Sequence, residues 1–354
     1  MPHPHLSDQI PKWQQAPFRR PGGEVRDDDL VVLRPEGLYC PAGDFHIDPW
    51  LPVPRAVITH GHGDHLREGM GEYHLTPGTL ALARWRLGPQ PYAMHAYGDP
   101  FELGEARISL HPAGHVLGSA QVRIEARGQV WVISGDYKRQ PDPTCAPFEV
   151  VPCDVFVTEA TFGLPVYRWQ DTPAVARDII AWRDHCAARG EAAILYCYAL
   201  GKAQRLLAEL GALTDQPAFL HGAIAAGVEV YRGAGVYLPP TRLVSEGAPQ
   251  GFAGELVLAP PMAAGSPWLR RFRRAQQGFA SGWMRLRGNR RRRNYDRGFA
   301  VSDHADWPSL LQTVRETGAR RVIATHGNTD ALVRALNEAG IAAESFRTNF
   351  GAEE

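Results

Sequence analysis

The chain has 354 residues, of which 44% are hydrophobic and 21% are charged, and its formal net charge is zero. This length allows two domains, and the composition is ordinary for a soluble globular protein. The five cysteines are scattered, with no Cys-x-x-Cys pair: Cys40, Cys145, Cys153, Cys186 and Cys197. That pattern argues against a disulfide framework and against a thiolate zinc site, and it fits a reducing cytoplasm.

The N-terminus carries no pattern of a targeting segment. Residues 1–5 have no basic region followed by an apolar core, so we expect no signal peptide. No apolar run approaches bilayer length, so we expect no membrane span. Lysine occurs only at positions 12, 138 and 202, so nearly all the positive charge is arginine. Genome composition explains that bias as well as function does.

The first part of the chain is patterned for strands. Residues 1–29 are polar and rich in proline, and we expect a loosely ordered lead-in. Between residues 30 and 158, short apolar runs are broken by Gly, Pro and Asp, which is typical of a β-rich sandwich. These runs cover residues 30–33, 53–59, 106–110, 120–124 and 129–134, and a helix is expected near residues 79–87.

The segment from about residue 166 to 295 changes to an alternation of helix and strand, which predicts an α/β domain. Helices are expected over residues 171–189 and 201–210, with a buried strand over 192–197 between them. The C-terminal part returns to strand-then-helix units. Its strands precede Ser302 and His326, and a helix is expected over residues 330–339.

Three imidazoles and a carboxylate stand together in His60-Gly61-His62-Gly63-Asp64-His65, directly after the apolar run at residues 56–58. Imidazole nitrogen and carboxylate oxygen are the usual ligands of zinc and related divalent ions. The two glycines allow a tight turn, so that alternate side chains can converge on one point. This stretch therefore predicts part of a metal site at the end of a strand.

One loop cannot supply every ligand of such a site, and further candidates follow other apolar runs. Loops after strands on a rigid scaffold are a common position for active-site residues. A single Asp or His after a strand is usually a turn or surface residue, but here the placement recurs. The candidates are Asp48, His115, Asp136, Glu159, His304 and His326.

Taken together, these motifs resemble those of the metallo-β-lactamase fold superfamily, in its β-CASP branch of nucleic-acid hydrolases. The resemblance covers about residues 30–350. Asp48 matches the first motif, and the second is matched by His60, His62, Asp64 and His65. The remaining motifs are matched in order by His115, Asp136, Glu159 (motif A), His304 (motif B) and His326 (motif C). Residues 199–204 also resemble a segment common in the inserted domain.

More narrowly, residues 282–287, together with Arg290 to Arg293, are similar to the bacterial ligase-associated DNA exonucleases, which are related to Artemis-type crosslink-repair nucleases. The resemblance implies an α/β fold: a metallo-β-lactamase αββα sandwich with an inserted α/β β-CASP cap. The sandwich would comprise residues 1–165 and 296–354, and the cap residues 166–295. The active site would lie in the cleft between them.

The resemblance also implies a division of ligands between two divalent ions, with Zn²⁺ expected and Mn²⁺ also accepted. His60, His62 and His115 would hold one ion, and Asp64, His65 and His326 the other, with Asp136 bridging. Water between the ions would attack phosphorus in line, so Asp64 and Asp136 count as catalytic. Asp48 would orient a ligand from behind. His304 would act as general acid or phosphate clamp, kept charged by Glu159. A simple ion pair between domains is the alternative for Glu159 and His304.

A basic segment lies between Arg270 and Arg297, where Asp296 is the sole acid. Arginine forks pair with phosphate and give salt-sensitive, sequence-independent affinity. Interleaved aromatic residues could stack on bases, but we favour a core role for them. The phosphate-binding candidates are Arg285, Arg287, Arg290, Arg291, Arg292 and Arg293, with Lys202 at the start of a helix that follows a strand.

The leading hypothesis is a two-metal-dependent DNA nuclease, an exonuclease that hydrolyses phosphodiester bonds in DNA repair and is located in the cytoplasm. Its partner would be DNA, single-stranded or at strand ends, and the resemblance alone implies an ATP-dependent DNA ligase and a helicase. One rival is an RNA-processing β-CASP ribonuclease, because motif C is His326, as in the RNA-cleaving members, where the eukaryotic DNA-repair members typically have valine. Other rivals are a small-molecule metallo-hydrolase and a non-catalytic subunit that binds nucleic acid.

Overall fold

The structure is a computed structural model that describes residues 28–248, 251–286 and 295–348. Within these ranges the chain forms 19 strands in three sheets and six α-helices. None of the helices in this part of the chain is both long enough and apolar enough to cross a lipid bilayer.

The first sheet contains six strands in chain order, antiparallel from β1 to β3 and parallel from β3 to β6. The strands are β1 Val32–Arg34, β2 Gly37–Cys40, β3 Phe45–Ile47, β4 Ala56–Val57, β5 Tyr73–Leu75 and β6 Tyr92–Met94.

The second sheet has seven strands in the order β19-β18-β11-β10-β9-β8-β7. From β10 to β19 its neighbours are parallel, and from β7 to β10 they are antiparallel. Its strands are β7 Phe101–Leu103, β8 Ala106–Pro112, β9 Ala120–Ala126, β10 Gln129–Ile133, β11 Val155–Ala160, β18 Arg321–Gly327 and β19 Ala342–Ser345.

The third sheet is parallel throughout its described pairs, in the order β14-β13-β15-β12-β16-β17. Its strands are β12 Ala192–Tyr196, β13 Ala218–Leu220, β14 Thr241–Leu243, β15 Leu256–Ala259, β16 Ala275–Ala280 and β17 Arg297–Phe299. The six helices are α1 Pro77–Leu87, α2 Thr172–Ala188, α3 Lys202–Gly211, α4 Gly222–Gly233, α5 Trp307–Thr317 and α6 Thr329–Glu338.

The first two sheets pack face to face, because alternate residues of each strand point to opposite faces. In β11, Val155 and Val157 enter the core between the two sheets, whereas Phe156 packs under α5 and α6. On the outer face of the first sheet, Leu80 and Ala83 of α1 pack against Ala56 and neighbouring strand residues. The layers therefore run helix, sheet, sheet, helix.

The same alternation organises the third sheet. In β12, Ala193 and Leu195 pack against α2, α3 and α4, and Ile194 and Tyr196 enter a second core on the other face. A strand that is buried on both faces has an unbroken apolar sequence, as β12 has. The third sheet is thus a separate α/β layer with its own core.

This architecture confirms the predicted fold class, an αββα sandwich with an inserted α/β unit. Several predicted elements are confirmed within one or two residues, including α2, β12, α3 and α6. The run at residues 53–59 forms only a two-residue strand, because Pro54 lacks the N–H that a longer ladder requires. The boundaries at residues 165 and 295 stay predictions, although β17 extends the third sheet to Phe299.

A buried ionic network joins α3 to the segment that leaves the third sheet. Arg205 donates from Nη1 to the Ser302 carbonyl oxygen at 3.1 Å, and this nitrogen lies 3.6 Å from Asp303 Oδ1. Its Nε lies 3.8 Å from Asp142 Oδ2, and its Nη2 donates to the Pro141 carbonyl oxygen at 3.4 Å. One fully buried guanidinium therefore contacts both residues 141–142 and residues 302–303, two separate parts of the chain.

Two lysines complete the network. Lys138 also donates to the Ser302 carbonyl oxygen, and Lys202 Nζ lies 3.6 Å from Asp303 Oδ2. Burial, reinforced by neighbouring Arg205, lowers the pKa of Lys138 well below its usual value. Both lysines are buried, so two of the three lysines in the chain lie inside the protein.

Replacing Arg205 should destabilise the fold strongly. Arg205→Met keeps the length of the side chain but leaves Asp142 and Asp303 buried with fewer positive partners. We expect the free energy of unfolding to fall by about 3–5 kcal/mol, measured by urea denaturation. Arg334→Met is the matched control, because Arg334 is 81% exposed and its ion pair is with exposed Glu338. Equal stability of the two variants would contradict the network's importance.

Candidate metal centre and active site

The predicted site residues come from strand ends of both sandwich sheets. Asp48 follows β3, the stretch from His60 to His65 follows β4, and Asp136 follows β10. Glu159 and His326 lie near the ends of β11 and β18. His115 lies in the loop between β8 and β9. Because these strand ends open on the same side of the sandwich, side chains more than 200 residues apart in the chain become neighbours.

The loop that carries His115 is fixed on the start of α1. The hydroxyl groups of Thr76 and Thr79 donate to the Gly118 carbonyl oxygen, at 2.6 and 2.9 Å. Gly118 has φ +76°, and a Cβ there would lie 2.0 Å from the Thr79 nitrogen. Only glycine fits this close approach. The His115 loop therefore keeps a defined position relative to the His60 loop.

Three imidazoles and Asp136 form the first group. His60 Nε2 lies 3.5 Å and His115 Nε2 3.9 Å from Asp136 Oδ2. His62 Nδ1 lies 3.1 Å from His115 Nε2. One ligand atom from each of His60, His62, His115 and Asp136 lies within 4.8 Å of the others, and all four residues are buried. This spacing suits one divalent ion.

A second group shares the same carboxylate. His326 Nε2 lies 2.7 Å from Asp136 Oδ1, and His65 Nε2 lies 3.5 Å from Asp136 Oδ2. Together these three residues form a second set of potential ligands. Asp64 Oδ2 lies 3.6 Å from His65 Nε2, beside this set. The structure therefore brings together all seven predicted metal ligands, whose roles stay predictions.

Asp48 holds the loop from behind. Its Oδ1 accepts from the Thr59 backbone N–H at 2.7 Å, and its Oδ2 accepts from the Thr59 hydroxyl at 2.5 Å. His65 Nδ1 lies 2.8 Å from Asp48 Oδ2, and Thr59 Oγ1 lies 3.0 Å from His60 Nδ1. Such contacts fix the ring orientation of a ligand histidine. Thr59 gave no motif signal in the sequence.

The protonation states of the buried histidines differ with their surroundings. Burial, then the neighbouring His65, lowers the pKa of His60 well below its usual value, and burial also lowers the pKa of His115. For His65, burial acts in the same direction, but Asp136 and Asp48 raise the pKa to about 10. For Asp136, burial opposes the charge, yet His65 and His326 hold the pKa well below its usual range.

The donor set fits two divalent ions. Buried polar atoms normally have a hydrogen-bond partner. His60 Nε2 and Asp64 Oδ1 are both buried and have none among the residues that the structure describes, and His60 Nε2 faces the shared carboxylate of Asp136. Metal binding would require deprotonated ligands, so His65 would release a proton on binding an ion. Nitrogen and oxygen donors of this kind suit zinc and accept manganese.

His304 and Glu159 lie at the edge of the metal centre. His304 Nδ1 lies 2.9 Å from Glu159 Oε2, and Glu159 Oε1 accepts from the Tyr137 backbone N–H at 2.8 Å. Ligand atoms of His304, Glu159 and Asp136 lie within 4.8 Å of one another. Burial disfavours the charged imidazole, but Glu159 and Asp136 raise the pKa of His304 to about 9.

The segment around His304 also fixes a candidate ligand. The Asp303 carbonyl oxygen lies 2.8 Å from His115 Nδ1, and the Trp169 indole N–H donates to the His304 carbonyl oxygen at 2.8 Å. Arg205 and Lys138 both donate to the adjacent Ser302 carbonyl oxygen. The buried network therefore holds in place the segment that carries Asp303 and His304. Sequence reasoning missed Lys138 and Arg205. The one available signal was the rarity of lysine in the chain.

The predicted phosphate-binding residues have varied placements. Lys202 is fully buried and lies 3.6 Å from Asp303, at the wall of the cleft. Arg285 is exposed, and its Nε donates to the Val166 carbonyl oxygen at 3.4 Å. Arg287, Arg290, Arg291, Arg292 and Arg293 lie outside the described residues. The aromatic residues of the basic segment belong to or pack against the second core of the third sheet, as predicted: Trp268, Phe272, Phe279, Trp283 and Tyr295.

A cavity of about 450 Å³ opens beside the first histidine group. Its lining includes His62, His115 and His304 on the side of the metal centre. Trp85, Arg86, Tyr198 and Lys202 also line it. Sequence reasoning assigned no role to Trp85, Arg86 or Tyr198, because nothing in a local motif marks a residue that reaches a cleft from another element.

No protein-family model matches the chain. The chain is 30% identical over 311 residues to a protein named probable DNA ligase from Opitutus terrae, and the match covers 87% of this chain and 30% of that protein. It is 35% identical over 116 residues to endoribonuclease YSH1 of Gibberella zeae, which covers 31% of this chain and 13% of that protein. The chain therefore spans less than a third of the length of these relatives.

A solved structure of a protein of unknown function from Enterococcus faecalis is similar in fold. Its TM-score is 0.55 at 11% identity, and the match covers 85% of this chain and 80% of that chain. This likeness concerns the fold alone. The strand-end histidines and aspartates, the inserted parallel sheet and the sequence relatives agree with one another. The chain belongs to the β-CASP branch of the metallo-β-lactamase fold superfamily.

Proposed function

We propose that this protein is a metal-dependent nuclease that hydrolyses phosphodiester bonds in DNA. The observation that carries the proposal is the convergence of five imidazoles on Asp136, with the His304–Glu159 pair at its edge. A centre with two sets of ligands around one carboxylate suits a phosphodiester, whose hydrolysis requires both a nucleophile and charge stabilisation.

His60, His62, His115 and Asp136 would hold one ion, and His65, His326 and Asp136 the other, with Asp64 beside the second. When bound, divalent ions lower the pKa of coordinated water and offset charge on phosphate oxygens. The protein's own residues then have three tasks. Asp136 belongs to both sets of ligands and fixes their relative position. Asp48 orients His65, and the sandwich core keeps the strand ends rigid.

His304 would serve the leaving group. Its Nδ1 donates to Glu159, so its Nε2 N–H can donate to a phosphate oxygen or to the departing alkoxide. Because its pKa is raised to about 9, the imidazole is charged at neutral pH. A charged donor forms a stronger hydrogen bond to an anionic oxygen than a neutral donor does.

DNA is the preferred substrate because the Opitutus terrae relative, which aligns with most of this chain, is named a probable DNA ligase. The exonucleolytic mode, the role in DNA repair, zinc as the metal, a cytoplasmic location, and a ligase or helicase partner belong to the same proposal. RNA is the second candidate, because the Gibberella zeae relative is named an endoribonuclease and motif C is His326.

The proposal is tested by digestion of matched DNA and RNA strands. Each strand is labelled separately at its 5′ and 3′ ends, and Zn²⁺ or Mn²⁺ is added to metal-stripped protein. Stepwise loss from one DNA end, with RNA intact, is the expected result. Internal cuts or faster RNA cleavage would favour the ribonuclease, and no cleavage of either polymer would overturn the nuclease proposal.

Asp136→Asn should abolish cleavage without unfolding the protein. The amide keeps the shape of the side chain but removes the charge shared by the two sets of ligands. We expect kcat to fall by about 1,000-fold or more and the metal content to fall, measured by elemental analysis beside the cleavage assay. Binding of a DNA strand should persist. Full activity in this variant would refute the assignment of the centre.

Glu159→Gln should change the pH profile. Glu159 helps to raise the pKa of His304, which is charged below that pKa and loses its charge as the pH rises through it. Removing the carboxylate lowers the pKa, so the alkaline limb of kcat/KM should move to lower pH. At pH 8 we expect about 100-fold slower cleavage with unchanged metal content. Exposed Glu338 gives the control, Glu338→Gln, and an alkaline limb common to both variants would exclude this role.

Replacing Arg290 to Arg293 with alanine should weaken DNA binding and reduce its salt dependence. If all four contact phosphates of a single strand, the slope of log K against log salt should change by about 3. The measurement is a binding titration at several salt concentrations. The double variant Arg320→Ala and Arg334→Ala removes exposed charge elsewhere and should leave the slope unchanged. A slope that is unaltered in the fourfold variant would place the substrate path elsewhere.

A further inference from the structure

The cleft cavity has an aromatic wall that the hydrolytic chemistry does not use. Trp85 stands on the last turn of α1 and is 41% exposed, although indole rings are usually largely buried. The cavity that it lines also contains His62, His115 and His304. An exposed indole that lines a cavity beside a candidate metal centre offers a flat aromatic face to a ligand there.

Tyr198 also lines this cavity, on the segment that leads into α3. That segment is fixed against the metal loops, because His62 Nε2 lies 3.3 Å from the Leu200 carbonyl oxygen. Gly201 has φ +84°, and a Cβ there would lie 2.5 Å from Val116 Cγ1. The aromatic wall is therefore contributed by both the sandwich and the inserted unit, and its Tyr198 side is held in place.

The charges around the cavity favour an anionic ligand. Arg86 lines it and donates from Nη1 to the Gly61 carbonyl oxygen at 2.5 Å, which holds the guanidinium beside the metal loop. Lys202 Nζ lies 5.0 Å from the centre of the Tyr198 ring. Among the described residues that line the cavity, Asp303 is the one acid, and it is paired with Lys202. Aromatic surface and positive charge together match a base with its phosphate.

We infer that Trp85 and Tyr198 form a stacking subsite for one unpaired nucleobase beside the cleaved phosphodiester. This inference rests on the proposed nuclease function and names the strand structure that the site accepts. The ring of a base that remains paired in a duplex is covered by its stacked neighbours, whereas an unpaired base exposes its face to an aromatic side chain. The cavity volume of about 450 Å³ is in the range of small-ligand sites.

The test combines a protein variant with a modified strand. Single-stranded DNA is prepared intact and with one abasic residue, placed in turn at each position around the cleaved bond. Both series are cleaved by the wild-type protein, Trp85→Ala and Trp85→Phe. Tyr237→Ala is the matched control, because Tyr237 is 82% exposed and lies outside the cavity lining. Binding is measured in parallel without divalent metal, by anisotropy of the labelled strand.

Loss of a stacking contact should lower affinity and kcat/KM for the intact strand by about 10- to 100-fold in Trp85→Ala. In the wild-type protein, an abasic residue at one position should cause a similar loss of affinity and kcat/KM. In Trp85→Ala, the same abasic residue should cause no further loss. Trp85→Phe and Tyr237→Ala should behave nearly as wild type. Equal losses for Trp85→Ala on intact and on every abasic strand would overturn the inference, as would no loss at all.

The two proposals fail in different ways. If the wild-type protein cleaves no strand, the nuclease function is wrong, and the binding series alone decides whether Trp85 stacks on a base. If the wild-type protein cleaves but the abasic position and Trp85 act independently, the nuclease stands and the stacking subsite falls.

Discussion

The structure of the site depends on the position of one buried carboxylate. Asp136 lies within 4 Å of four imidazoles, two from the loop after β4 and one each from the β8–β9 loop and the end of β18. Burial alone would disfavour its charge, and the surrounding rings reverse that preference. The sandwich core fixes β10, and β10 fixes Asp136. The packing of the two sheets therefore determines where the two sets of ligands lie relative to each other.

The segment from Ser302 to His304, which follows the last strand of the inserted α/β layer, reaches the same centre. Ser302 accepts from Lys138 and Arg205, Asp303 contacts His115 through its carbonyl oxygen, and His304 contacts Glu159. Buried ion pairs are weak sources of stability, because removing charges from water costs about as much as their attraction returns. The network is better explained as a positioning device that keeps His304 beside Asp136 than as a stabilising one.

The sequence allowed the strand-end residues to be predicted because their chemistry is local: a histidine-rich turn after an apolar run is visible in six residues. Helix α4 was not placed, because its glycines at 222, 227 and 233 weaken the helical pattern. Lys202 was expected to meet phosphate, yet its burial against Asp303 depends on a segment 100 residues away. Burial partners of this kind follow from tertiary packing, which no local pattern encodes.

The same distinction applies to the cleft. Trp85 and Arg86 belong to α1, whose sequence serves the first sheet, and Tyr198 belongs to the segment before α3. Neither stretch is patterned as a binding site, and the cavity lies where the two elements come together beside the His62–Leu200 contact. A metal centre can be encoded in a motif, whereas a substrate surface that spans two packed units is a property of the fold. The residues of the metal centre could therefore be predicted from the sequence, whereas the residues that line the cleft could be identified from the structure alone.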